Sequence, residues 1–214
     1  MFDEPNFIPH KPRRVIQEKT ASTLQAMQSP AGNSLTIRTE QFIRWVPPPP
    51  RWYKLNVDGE AKGNPGMARG GGVLRGHRGE WISGFAAHFG YCSSVKAELK
   101  ALLQGLGLAR DYGVRRIMIH MDSLVVSRKV QDPVSTHQPY YYLWKEGQAL
   151  LLNPEWQVTL DHCYREANTV ADQLANLGVE QLSPLAIFER PPNAVLSHLA
   201  HDCNGPSWPH MIQN

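Results

Sequence analysis

Trp52-Tyr53-Lys54-Leu55-Asn56-Val57-Asp58-Gly59 sets the fold class of this chain. Tyr53, Leu55 and Val57 alternate with Lys54, Asn56 and Asp58, the period of a strand with one face in a core and the other in water. The strand ends on a carboxylate and runs into a glycine-rich turn, Gly63-Asn64-Pro65-Gly66. Gly70-Gly71-Gly72-Val73-Leu74-Arg75 and Glu80-Trp81-Ile82-Ser83-Gly84-Phe85 then flank the polar turn Gly76-His77-Arg78-Gly79. Three consecutive strands joined by such turns predict an antiparallel meander.

Further along, the period changes. Val95, Leu99, Leu102, Leu103 and Leu106 recur at helical spacing, with Ser94 as N-cap and Gly113 as stop. Ile117, Ile119 and Met121 alternate as a fourth strand that ends at Asp122. Helices are expected at about 123–130 and from Tyr140 to Leu152, a fifth strand from Trp156 to Cys163, and a last helix from about Ala167. This order predicts an α/β domain with a five-stranded mixed sheet flanked by helices. Strands one to three are antiparallel, and right-handed crossovers make strands one, four and five parallel.

Residues 1–50 lack a sustained period and close on Pro47-Pro48-Pro49-Pro50, which reads as a poorly ordered linker. Residues 51–180 form the domain. Residues 181–214, with Pro184, Pro191, Pro192, Pro206 and Pro209, read as a proline-rich tail. At 214 residues and 42% apolar, the chain can bury one ordinary core. The net charge of +3 is too small to announce a nucleic-acid binder by itself.

Three cysteines, Cys92, Cys163 and Cys203, are odd in number and lack CxxC spacing, which argues against a disulfide framework and a zinc site. No apolar run reaches membrane-spanning length and no secretory leader is legible. The expectation is a soluble intracellular monomer, in nucleus or cytoplasm, without a membrane partner.

Asp58 and Asp122 each end a predicted strand, at the sheet edge where open α/β sheets bind ligands. Taken singly, a strand-end aspartate is also an ordinary turn residue. Glu98 lies beside the apolar stripe of its helix, a costly place for a carboxylate that has no partner. Asp172 falls in the last helix among polar neighbours and alone carries little signal. Gathered carboxylates repel one another unless a divalent cation holds them. Magnesium suits such oxygen ligands, and a pair of ions clamps the attacking water and leaving oxygen of a phosphoryl displacement.

Val57-Asp58-Gly59 with Gly63-Asn64-Pro65-Gly66, Gly71-Gly72-Val73-Leu74, Ala97-Glu98-Leu99, Met121-Asp122-Ser123, Arg165-Glu166-Ala167-Asn168 and Ala171-Asp172 together resemble type 1 ribonuclease H. More narrowly, they resemble the plant reverse-transcriptase-like branch found in non-LTR retroelements and their domesticated relatives. Each fragment is a weak motif, whereas their order and spacing are specific. The resemblance runs from Trp45 to about Glu180. It implies a ribonuclease H-like fold, Asp58, Glu98, Asp122 and Asp172 as catalytic metal ligands, Mg2+ or Mn2+ as cofactor, and an RNA–DNA hybrid as nucleic-acid partner and substrate.

In the family the loop after the first strand lies near the nucleic-acid backbone, which suits Gly59 and Asn64; a tight turn needing positive φ explains the same glycines equally well. Ser94 resembles a minor-groove contact and is also a helix cap. Trp81 reads as a stacking surface or as core. Two departures stand out. The loop before the last aspartate carries Arg165 and Glu166 where well-studied members have a histidine, and His162 nearby continues the phase of a packed strand. The segment from Gln131 to Lys145 is short and almost uncharged where the bacterial enzyme has a basic protrusion; Lys11, Arg13 and Arg14 are the basic residues left to assist. Hence three functions are weighed: a hybrid-cleaving endonuclease, a domesticated binding domain with little or no turnover, and an exonuclease on the same sheet.

Overall fold

A computed structural model of the chain describes residues 38–178, 183–204 and 208–213. Most of the expected N-terminal linker, including Lys11, Arg13 and Arg14, lies outside the described residues. In chain order the strands are β1 (Arg38–Ile43), β2 (Tyr53–Gly63), β3 (Gly66–Arg75), β4 (Trp81–Cys92), β5 (Arg116–Met121), β6 (Gln157–His162), β7 (Leu185–Phe188) and β8 (Trp208–Gln213). The helices are α1 (Ser94–Asp111), α2 (Leu124–Lys129), α3 (Tyr141–Leu151), α4 (Thr169–Leu177) and α5 (Leu196–Asn204).

Six strands form the main sheet in the order β6-β5-β2-β3-β4-β7, while β1 and β8 pair antiparallel as a separate ribbon. The meander β2-β3-β4 and the parallel set β2-β5-β6 match the sequence expectation. The sixth strand does not: β7 adds antiparallel to β4 from a stretch read as tail. Its four residues, Leu185 to Phe188, are too few to show a period, and their pairing partner lies about a hundred positions away in sequence, so no local signal marks them. Similarly, β1 takes residues from the expected linker because its partner β8 lies at the other end of the chain.

Burial of β2 departs from a half-solvated strand. Lys54, Asn56 and Asp58 are buried along with Leu55 and Val57, because α1 packs on one face of the sheet and α4 on the other. The α1 face presents Leu99, Leu102 and Leu106 to a core of Leu55, Val57, Phe85, Ile117 and Ile119. On the opposite face, Val73, Val170, Leu174 and Val195 form a second cluster against which Trp81 and Phe188 pack. Trp81 donates its indole N–H to the Phe188 carbonyl at 3.2 Å, which assigns that ring to packing.

A polar network lies within this second layer. Asn56 Oδ1 accepts from Trp45 Nε1 at 2.9 Å and from Arg75 Nη2 at 3.2 Å, and Asn56 Nδ2 donates to Asn168 Oδ1 at 3.0 Å. Arg75 stacks 3.6 Å from the Trp45 ring centre and pairs with Asp202 of α5 at 2.6 Å. Polar side chains can occupy this layer because nearly every donor meets an acceptor. Among the described residues no helix is long and apolar enough to cross a membrane.

Candidate active site

Register places the first two carboxylates. In the parallel pair β2–β5, Val57 lies opposite Met121, so the chain continues on both strands into Asp58 and Asp122 at the same sheet edge. Glu98 arrives from the second turn of α1. Carboxylate oxygens of Asp58, Glu98 and Asp122 lie within 4.8 Å of one another.

Local sequence explains the approach. A Cβ on Gly59 would strike the backbone of Glu98, so only glycine lets α1 settle this close to β2. Its backbone N–H donates to the Glu98 carboxylate. The turn requirement falls instead on Gly63, at φ +90, which closes the β2–β3 hairpin. Asn168, buried just ahead of α4, donates Nδ2 to the Val57 carbonyl at 3.0 Å and so fixes the backbone next to Asp58.

Burial and mutual repulsion dominate the electrostatics. Desolvation, then the charges of Asp122 and Asp172, push the Asp58 carboxyl up to about 8. Desolvation followed by Asp58 and Asp122 pushes Glu98 up to about 9. Glu98 Oε2 and Asp122 Oδ1 are buried without a hydrogen-bond partner. The other Asp122 oxygen, Oδ2, accepts from Arg165 Nε at 3.0 Å. Oxygen-only donors, two of them orphaned, held together at a cost in repulsion, fit a hard divalent cation.

The remaining sequence-derived candidates lie around this centre. Asp172 stands outside the cluster of three, exposed, with its carboxylate accepting from Asn176 Nδ2 at 3.3 Å; desolvation and the charges of Glu60 and Asp122 raise its pKa. Asn64 and Ser94 meet each other: Ser94 N–H donates to Asn64 Oδ1 at 3.1 Å, docking the hairpin tip on the start of α1. The cap of α1 is Ser93, whose hydroxyl accepts from Lys96 N, and Ser94 is the first helical residue. Two adjacent serines left that assignment one residue ambiguous in sequence. His162 is half-buried and packs edge-on to Tyr164. Sequence reasoning missed the contact of Arg165 with Asp122 and the positioning role of Asn168; a polar residue at a helix start looks like an ordinary cap until its strand partner is known.

Fold and site together define a ribonuclease H-like domain with an acidic centre where the parallel pairing of its two central strands ends. The chain belongs to the reverse transcriptase-like family, whose profile matches residues 56–178. It is 36% identical over 176 residues to an Arabidopsis thaliana protein that carries a ribonuclease H name, covering 82% of this chain and 28% of that protein. With ribonuclease HI of Halobacterium salinarum it shares 31% identity over 121 residues, 56% of this chain and 60% of that one. The chain thus spans less than two thirds of either relative. The crystal structure of the Halobacterium salinarum ribonuclease H1 superposes with a TM-score of 0.55 at 29% identity, covering 60% of this chain and 98% of that one. The N-terminal ribonuclease H domain of a Mycobacterium tuberculosis protein gives the same TM-score at 26% identity, with 60% and 94% covered.

Proposed function

We propose that the chain is a metal-dependent endonuclease that hydrolyses the RNA strand of RNA–DNA hybrids. The observation that carries this reading is the convergence of Asp58, Glu98 and Asp122, with Glu98 Oε2 and Asp122 Oδ1 buried and unpartnered. The names of its relatives, ribonuclease H and ribonuclease HI, point to the same substrate class.

Asp58, Glu98 and Asp122 would hold magnesium or manganese, with Asp172 at the outer edge. When bound, a pair of such ions supplies Lewis acidity to the attacking water and the leaving oxygen of an in-line displacement. The chain's own residues do the rest. Gly59 N–H orients Glu98, Asn168 fixes the β2 backbone beside Asp58, and the Asn64–Ser94 contact holds the hairpin tip where a duplex would pass over the site. The reading is of a monomeric enzyme.

The test is cleavage of an end-labelled RNA–DNA hybrid with magnesium, with manganese and with EDTA. Internal RNA fragments are expected with metal and none without; mononucleotides released from an end alone would mark an exonuclease. Asp122→Asn should abolish product. Asp172→Asn, outside the cluster of three, should cost less, roughly 10- to 100-fold as for groups that support a metal site from outside. Equal background from wild type and Asp122→Asn, with hybrid still bound, would establish the binding-only alternative.

A further inference from the structure

Beyond the carboxylates, the sheet edge opens into a cavity of about 620 Å³ between the start of α4 and α5. One wall carries Asp122, Arg165, Thr169 and Asp172, and the other carries Ser197 and His198 from α5. This volume lies within the roughly 300–1,000 Å³ of sites that take a small-molecule-sized unit such as a nucleotide.

Three observations indicate what it takes. Its acidic end carries Asp122 of the proposed metal centre, so a ligand reaching that end comes beside the divalent cations held there. Thr169 also lines this wall, with its Oγ1 buried and without a hydrogen-bond partner. The acid of α5, Asp202, is committed to Arg75 on the inner side, with both side chains almost wholly buried. What α5 brings to the cavity is therefore a hydroxyl at Ser197 and imidazoles at half-buried His198 and His201. Donors facing a cation-holding acidic edge suit a phosphodiester strand, whose non-bridging oxygens accept from both sides.

We propose that this cavity binds the sugar–phosphate backbone of the nucleic-acid strand beside the acidic centre, with His198 and Ser197 as its contacts. The C-terminal segment is thereby half of the substrate groove. The inference rests on the nuclease reading above, and it assigns to α5 a role that the acidic centre alone does not require.

The test varies charge at position 198 and reads hybrid affinity in EDTA, where no turnover is needed, by fluorescence anisotropy of a labelled RNA–DNA hybrid. His198→Arg should tighten binding and steepen its salt dependence, since a permanent cation at a phosphate releases a counterion. His198→Ala should weaken binding by about three- to tenfold, the range of one net hydrogen bond, and His198→Glu should weaken it further. Ser197→Ala should weaken it by a similar single-bond factor. A packing role would make all three substitutions at 198 equally harmful, so affinities that ignore the sign of charge there overturn the proposal. Metal-dependent cleavage is scored on the same proteins. Wild type that cuts the hybrid while affinity ignores residue 198 leaves the nuclease standing and removes this inference. Wild type that binds in the order Arg, His, Ala, Glu yet never cuts removes the nuclease and keeps the groove. Wild type that neither binds in EDTA nor cuts with metal removes both.

Discussion

Arg165 reaches Asp122 from solvent: its Nε lies 3.0 Å from Asp122 Oδ2, with the arginine side chain 91% exposed and the aspartate 9%. The guanidinium stands at an oxygen that a metal ligand would need, so arginine and divalent cation compete for one carboxylate. Arg165→Ala should therefore tighten manganese binding, measured by titration calorimetry in the absence of substrate. An exposed ion pair is worth only ~0.2–1 kcal/mol, so the gain should be at most about fivefold. Weaker binding in the variant would show that Arg165 supports the site instead of competing for it.

Asp58 and Glu98 make the metal-free protein sensitive to alkali. Folded, they hold protons up to about 8 and about 9, whereas carboxyls of an unfolded chain release theirs near ~4. In between, the folded state binds more protons than the unfolded state, so stability falls as pH rises. Other groups bound the useful window. Burial holds His120 neutral down to about 3, which acts below the ordinary histidine range, and burial lowers Lys54 to about 8, which favours the folded state above that pH. Between about pH 6.5 and about pH 8, Tm in EDTA should fall for wild type and fall less for the Asp58→Asn, Glu98→Gln double variant. Parallel curves for the two proteins would mean that both carboxyls are already ionised at neutral pH. Magnesium should restore more stability at the upper end of the window than at the lower, because its binding requires the carboxylates without their protons.

These two centres differ in how far the sequence reveals them. Asp58 and Asp122 were legible because each closes an alternating stretch of sequence, although β2 itself runs on to Gly63, and parallel pairing then follows from the helix between them. Glu98 was legible because helical period put a charge beside an apolar stripe. Arg165 was visible only as a departure from a family pattern, since what it touches depends on a strand some forty residues away. The layer beneath α4 was not legible. Period-two alternation assigns Lys54, Asn56 and Asp58 to water, and only the second helical layer, assembled from residues remote in sequence, reverses that. The segment past residue 183 fails for the same reason: prolines and a four-residue strand carry no period, and the acid of α5 finds its partner in an arginine on β3.

That arginine sets the last expectation. Arg75 and Asp202 pair at 2.6 Å with side chains 1% and 2% exposed, and burial lowers the pKa of Arg75 while Asp202 opposes that shift. Removing one partner leaves the other charge buried without its counter-ion, which costs ~3–5 kcal/mol. Asp202→Ala should lose stability in that range, measured by urea unfolding, because among the described residues Arg75 then keeps Asn56 and the Trp45 ring. Replacing both charges by apolar residues of similar volume, Arg75→Met with Asp202→Leu, removes the stranded ion and should recover most of that loss. The double variant also separates two roles of the pair. If it is stable and still protects the α5 amides from hydrogen exchange, packing alone suffices to hold the helix. If it is stable and α5 exchanges freely, the ion pair is what fixes Ser197 and His198 opposite Asp122. A single variant as stable as wild type would mean that water reaches Arg75 and that α5 is not anchored through it.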